Sequence, residues 1–314
     1  MGRYFARRLV QSVVLFWIVT LVTFVIIRQA PGGPAILANP NLTKDQIVNL
    51  RGGVGLNDPL YRQYVRWVGH LMAGDLGVSF NEGVPVVELI AERLPNTLVL
   101  ASAAFVIAVT AGMTLGILGA VKRNTWVDGL VSSVGVLNLS VPVFWLGIVL
   151  ILIFAVELRW LPVGGMLQAS QWSWLDLARH LVLPAIVAAG FLMANVMRFT
   201  RSSLLETLGQ LYVTAARAMG LRERRVLLKY ALRNAMLPVV TTIGLGTPQL
   251  FGGAAITETV FAWPGIGSLG INAARTGDFP VIMGITLFVS ALVIVANLIT
   301  DLSYVLLDPR VRLQ

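Results

Sequence analysis

The chain has 314 residues, 56% of them hydrophobic and 12% charged, with 24 Lys and Arg against 15 Asp and Glu and a net charge of +9. A soluble protein of this length could not hide so much apolar surface, so the composition is that of a membrane protein. The basic excess lies at the ends of apolar runs, which points to membrane topology and argues against a nucleic-acid partner. The chain has no cysteine, which excludes disulfides and thiolate chemistry, and His70 and His180 give no metal-ligand spacing.

Arg3, Arg7 and Arg8 precede the apolar run 9–27. Its length is nearer a span than a signal core, and no small-x-small cleavage site follows. It reads as a retained first helix with a cytoplasmic N-terminus, in a first section over 1–29. Residues 30–97 are the one long polar section and read as an extracytoplasmic loop with short helices. Pro31-Gly32-Gly33-Pro34 stops the first helix, Thr43 caps a short helix to Arg51, and Asp58 and Pro59 suit N-cap and N1 of a helix to about Met72. Residues 74–77 read as a turn, and another short helix is expected over 84–93. Tyr61, Tyr64, Trp67, Val68 and Leu71 make one apolar-aromatic face.

The third section, 98–314, holds five more spans. The second span is about 98–121, closed by Lys122 and Arg123. The third is about 130–156, with Pro142 expected to kink it and deprive the Asn138 carbonyl of its donor. Asn138 and Ser140 are polar at membrane depth, where such groups glue helices together or face a transport path. An outer loop over 157–180 carries Trp160, Trp172 and Trp174 for the interface belt. The fourth span, about 181–199, has Arg198 and Arg201 at its inner end. The fifth, about 235–257, is rich in glycines (Gly244, Gly246, Gly252, Gly253) that let helices approach. A Gly/Pro-broken outer connection follows, whose backbone enters the membrane only where protein buries it. The sixth span is about 281–307, with Asp301 expected to pair with a cytoplasmic arginine. The fold expected is an all-α membrane protein with six transmembrane helices and both termini cytoplasmic. On that topology fifteen of the 24 basic residues lie inside, six in the long first loop, and only Arg159, Arg179 and Arg275 in short outer loops.

Between the fourth and fifth spans lies a cytoplasmic loop over 200–234. Its basic stretch carries Arg217, Arg222, Arg224, Arg225, Lys229 and Arg233 with Glu223 as the one acid. Thr214 to Met219 favours helix, Gly220 suits a left-handed break, and Arg222 onward favours helix again. At 100° per residue Arg222, Arg225, Lys229 and Arg233 share one arc, while Val226, Leu227, Tyr230 and Ala231 point elsewhere, toward the membrane or the spans. The result is a short basic knob just below the bilayer. Read alone, it is a topology signal or a contact for anionic lipid.

Here the chain resembles the permeases of bacterial ABC importers. Their inner loop runs Glu-Ala-Ala, three residues, Gly, nine residues, Ile-x-Leu-Pro. Ala215, Ala216 and Gly220 fit that spacing. Thr214 stands at the Glu place, Tyr230 and Leu232 at the Ile and Leu places, and Arg233 replaces the Pro. These departures, and the phrase from Ala231 to Pro238, resemble the peptide/nickel branch. So do PGGPA, GLNDPLYRQY, GDLGVSF and ERLPNTL in the first loop, the outer ETVFAWPGIGSLGINAARTGDFP with Glu258, Trp263, Pro264 and Gly265, and the ending LLDPRVR. The resemblance implies a type I ABC-importer permease fold. It also implies that Thr214, Ala215, Ala216, Arg217, Ala218, Met219, Gly220, Leu221 and Arg222 form the segment that docks on an ATPase.

No phosphate loop occurs, since none of Lys44, Lys122 and Lys229 follows a glycine. No nucleophile elbow, His-Glu zinc motif or intramembrane carboxylate pair is visible either. The chain reads as a transport subunit rather than an enzyme, without a cofactor of its own, ATP and Mg being expected on partner ATPases. A secondary transporter would need buried ionisable residues in its spans, and an intramembrane enzyme a catalytic constellation. Candidates for the translocation path are Asn138, Ser140, Pro142, Asn195 and Glu258. The resemblance implies a bacterial plasma membrane location and several partners: a second homologous permease, two ATPases, an extracytoplasmic binding protein and membrane lipid. It implies di- or oligopeptides as cargo. Nickel chelates, other metallophores, glutathione and oligosaccharides stay open.

Overall fold

The computed structural model of the chain describes residues 2–29, 58–167 and 173–307. The expected helix over 43–51, the stop at 31–34, Trp172 and the tail from Asp308 lie outside the described residues, as does the side chain of Asp301. The helices are α1 (Gly2–Gln29), α2 (Leu60–Met72), α3 (Val86–Val121), α4 (Trp126–Ser140) and α5 (Val143–Leu150). After them come α6 (Trp174–Leu208), α7 (Leu211–Ala218), α8 (Arg233–Val260), α9 (Ile266–Thr276) and α10 (Phe279–Leu307). Wider π-type turns extend α5 over Ile151–Glu157 and lead into α8 over Val226–Leu232. Among the described residues, five helices are long and apolar enough to cross a membrane, and α4 with α5 makes a sixth if that bent pair is one span. The chain divides into two compact units, Met1–Thr97 with Pro264–Ile294, and Leu98–Trp263 with Val295–Gln314.

In the first unit, Val86, Leu89 and Ile90 present one face at helical spacing. They pack on Ile266, Leu269 and Ala273 of α9 and on Val281 and Ile285 of α10. The short helix expected over 84–93 is the start of α3 itself, which continues through Pro95. The lost donor at Pro95 is tolerated because tertiary bonds hold the next turn. Asn96 Nδ2 donates to the Pro264 carbonyl at 2.8 Å, and the Ile266 N–H donates to Thr97 Oγ1 at 2.8 Å. The aromatic face of α2 is narrower than expected. Tyr64 and Trp67 pack on buried Phe24 at 5.3 and 5.9 Å, whereas Tyr61 is 64% exposed under the Arg62 guanidinium. Asp58 does not cap this helix; its carboxylate accepts from Arg66 at 2.6 Å, and Pro59 takes the cap position. Gly74 and Gly77 adopt the left-handed conformation that the 74–77 turn requires. The following loop is clasped by buried Asp278, whose carboxylate accepts from Ser79 Oγ at 2.5 Å and from the Phe80 and Asn81 N–H groups at 3.2 Å each.

The second unit is built around α6. Ala189, Leu192 and Val196 pack with Ala104 and Ala108 of α3 and with Val239 and Leu250 of α8. A Cβ on Gly112 or Gly116 would lie 2.9 or 2.7 Å from the carbonyl oxygens of Met193 and Met197, so α3 and α6 meet backbone to backbone. At the inner ends, Arg201 donates both Nε and Nη2 to the Asp128 carboxylate at 2.7 and 2.9 Å. The third span is not one kinked helix. Val141 and Pro142 take extended backbone, and α4 and the α5 segment differ in direction by 112°. Proline forces its predecessor out of the helical region as well as removing a donor, so two residues break the ladder where one bend was expected. The glycines of α8 divide by position. Gly244 packs on Thr300 and Gly246 on Leu192, but Gly252 and Gly253 have open space beside them.

Candidate functional site

The inner knob has the helix, break, helix grammar of its sequence. Helix α7 ends at Ala218, Gly220 follows at φ 74°, and helix resumes at Glu223. The Met219 N–H donates to the Ala215 carbonyl at 3.0 Å and the Gly220 N–H to that of Arg217 at 2.9 Å, so the turn satisfies part of the helix end. Val213, Ala216 and Val226 are buried together, with Leu208, Leu221 and Tyr230 around them. Arg217 grips Glu223 through Nη2 at 2.6 Å and Nε at 3.2 Å, and the carboxylate holds this guanidinium above its ordinary pKa by that hydrogen bond. Asn234 Nδ2 donates to the Tyr212 hydroxyl at 2.9 Å, tying α7 to the start of α8.

Three expected docking residues, Ala216, Arg217 and Leu221, therefore face inward or are engaged within the knob. Ala216 is small because its own knob core presses on it, and Arg217 is spent on Glu223. The free surface is a stripe on α7 and the turn, with Leu211 at 87% exposure, Thr214, Ala215, Ala218, Met219 at 71%, and then Arg222. Half-buried Leu221 belongs to the knob core. Arg222, Arg224, Arg225, Lys229 and Arg233 are all exposed and give the knob a positive surface. The arrangement offers a partner an apolar ridge on a rigid mount.

The path candidates do not form one cluster. Asn138 returns Nδ2 to the Val134 carbonyl at 2.9 Å, and its amide oxygen lies against Gly190 of α6, which is helix-to-helix packing. Ser140 and Pro142 are exposed at the break. Asn195 donates to the Phe191 carbonyl at 2.9 Å and accepts from Arg198 Nη2 at 3.4 Å on the exposed side of α6. Glu258 is fully buried, near in sequence to the equally buried Trp263, whose N–H donates to the Glu258 carbonyl at 2.8 Å. It belongs to the packing of the outer end of α8 rather than to an exposed wall.

A feature that the sequence reading did not single out lies between α5, α6 and α8. A cavity of about 260 Å³ is lined there by Val143, Val187, Phe191, Leu250, Gln249 and Thr257, among others. Gln249 is exposed although it sits inside a membrane-crossing helix. A lone amide within an apolar run was the available signal.

Two family models match most of the chain. Residues 1–101 match the N-terminal model of binding-protein-dependent transport system membrane components, and residues 112–313 match the model described as "Binding-protein-dependent transport system inner membrane component". The chain belongs to this family. Its relatives share the full length of the chain. The oligopeptide transport system permease protein AppB of Bacillus subtilis is 40% identical over 99% of this chain and 100% of its own. A putative peptide permease of Brucella suis is 45% identical, and the dipeptide permease DppB of Escherichia coli K12 is 36% identical, each over 99% of both chains. Among solved structures, an inward-facing MetNI methionine ABC transporter chain superposes with a TM-score of 0.58 at 20% identity, covering 71% of this chain and 97% of that one. That likeness establishes the ABC-importer permease fold. The protein is thus a multi-pass inner-membrane transport subunit, and subunits of this family are not themselves enzymes.

Proposed function

We propose that the chain is one of two permeases in an ATP-driven importer of di- and oligopeptides. A second, homologous permease completes the translocation path, two ATPases dock on the inner knobs, and an extracytoplasmic binding protein delivers cargo. ATP and Mg belong to the ATPases, and this chain carries no cofactor. The observation that carries the reading is the knob: an exposed ridge of Leu211, Ala215, Ala218 and Met219 on a mount braced by its own core and by Arg217–Glu223. A loop that only set topology would need the charges and not the brace. The peptide names of full-length relatives support the cargo class. The test is reconstitution of the chain in proteoliposomes with its co-encoded subunits. Uptake of labelled dipeptide should require ATP on the knob side and binding protein on the other. Uptake driven by an ion gradient without ATPases would overturn the reading, and uptake of a nickel chelate with no peptide would overturn the cargo class.

A further inference from the structure

Resting on the peptide-importer reading, we propose that the cavity between α5, α6 and α8 is a cargo subsite that takes one apolar side chain of a passing peptide while Gln249 and Thr257 bond its backbone. The first observation is Thr257. Its residue is 1% exposed, it lines the cavity, and its hydroxyl has no hydrogen-bond partner among the described residues. On the same helix Thr241, Thr242, Thr247 and Thr259 each satisfy their hydroxyls on the carbonyl four residues back. Thr257 alone of these leaves that bond unmade, and a buried hydroxyl in that state is poised for a group that arrives. The second observation is the space itself. It is a cleft of about 260 Å³ that opens to one side, where Phe191, Gln249 and Gly253 are exposed. Gly253 keeps it open, since a Cβ there would meet nothing within 4 Å.

The chemistry of the walls selects the occupant. They are apolar apart from the Gln249 amide and the Thr257 hydroxyl, and none of the lining side chains is charged or metal-ligating. A metal chelate or a charged terminus gains nothing here, whereas an aliphatic or aromatic side chain does. The volume is below the roughly 300–1,000 Å³ of pockets that enclose whole ligands, which fits part of a peptide rather than all of it. Gln249 lies 16 residues beyond Arg233, about 24 Å along the helix at 1.5 Å per residue. An amide exposed at that depth faces a polar path rather than lipid. Phe191, 47% exposed, stands on the same open side and offers a ring to the incoming side chain.

The test uses the complete reconstituted importer. A Cβ at Gly253 meets nothing within 4 Å, so Gly253→Leu should extend into the cavity, and the ratio of leucyl-leucine to glycyl-glycine uptake should fall about tenfold, the scale on which an apolar pocket discriminates. Thr257→Val removes the hydroxyl at nearly constant shape. It should raise KM for both dipeptides without lowering thermal stability, which a packing role would do. Because the chain has no cysteine, Gly253→Cys reports occupancy directly: maleimide labelling in the full complex should be slowed by leucyl-leucine and not by glycyl-glycine. An unchanged uptake ratio, an equal fall for both dipeptides in Gly253→Leu, or a Gly253→Cys that no reagent reaches because lipid or the second permease covers it would each overturn the subsite while leaving peptide import intact. A wild-type complex that hydrolyses ATP in response to its binding protein but takes up neither dipeptide would instead overturn the peptide reading, and the subsite with it.

Discussion

Gly220→Val asks whether the shape of the inner knob is what an ATPase reads. Gly220 sits at φ 74°, and a Cβ there would meet nothing within 4 Å, so no collision contributes. The cost is backbone strain alone, about 1–2 kcal/mol for an L-residue in the left-handed region and greatest for a β-branched one. The bonds that brace the turn are of similar size. The Arg217–Glu223 pair, with side chains 42% and 65% exposed, contributes about 0–1 kcal/mol after solvent screening. The Asn234–Tyr212 bond adds about 1 kcal/mol. Strain of this size shifts the local equilibrium five- to thirtyfold, enough to populate a knob in which α7 and the helix from Glu223 no longer meet at the observed turn. The spans are untouched, so the protein should insert normally. Co-purification of the ATPases and stimulation of ATP hydrolysis by binding protein should fall by about that factor, and Gly220→Asn, which tolerates the left-handed region, should keep most of both. Equal coupling in Gly220→Val and wild type, or equal loss in the Asn and Val variants, would refute the argument that backbone shape at Gly220 sets docking.

Three further outcomes follow from the packing. Ala216→Leu should destabilise the knob core of Val213 and Val226 by about 1–3 kcal/mol, whereas Ala215→Leu on the exposed stripe should spare stability and weaken only ATPase co-purification; hydrogen exchange over 211–232 separates the two. Asp278→Ala strips the acceptor from Ser79 Oγ and from the Phe80 and Asn81 N–H groups, a loss on the order of 3 kcal/mol that should make the 78–83 loop sensitive to limited proteolysis. For topology, Glu82→Cys should react with an impermeant maleimide on intact cells and Arg224→Cys only after permeabilisation, the reverse result sinking the charge argument.

How much of this was legible in the sequence depends on whether a feature is a pattern or a relation. Apolar runs and the basic loop are patterns, and they gave the spans and the helix-Gly-helix knob. The break at Pro142 was visible, but its size was not. A lone proline kinks a helix when neighbours hold the next turn, as the Asn96 and Thr97 bonds do after Pro95, and splits it when they do not. Nothing in the local residues tells those two prolines apart. The surroundings of Ala216 and Arg217 within the expected docking segment were hidden for a related reason. Motif spacing marks both positions, but only the fold reveals that one is enclosed by Val213 and Val226 and the other is held by Glu223.

The wide turn over Val226–Leu232 shows the same limit and explains how the knob is fixed to its span. The burial pattern runs Val226, Ala231, Ala235, Val239, with a step of five and then steps of four. An ideal helix read at 100° per residue cannot produce the first step, so the sequence pattern drifts off the core there. The π-type turn adds one residue to the turn and returns the drift. Val226 can then join the knob core with Val213 and Ala216, while Ala231 and Ala235 pack with Ala120 of α3 and Leu204 of α6. A regular helix through 226–232 would satisfy one of these two contacts and turn the other away. The extra residue therefore lets one continuous rod serve both the knob and the membrane core. The ridge of α7 and the body of α8 are thereby joined through packed side chains.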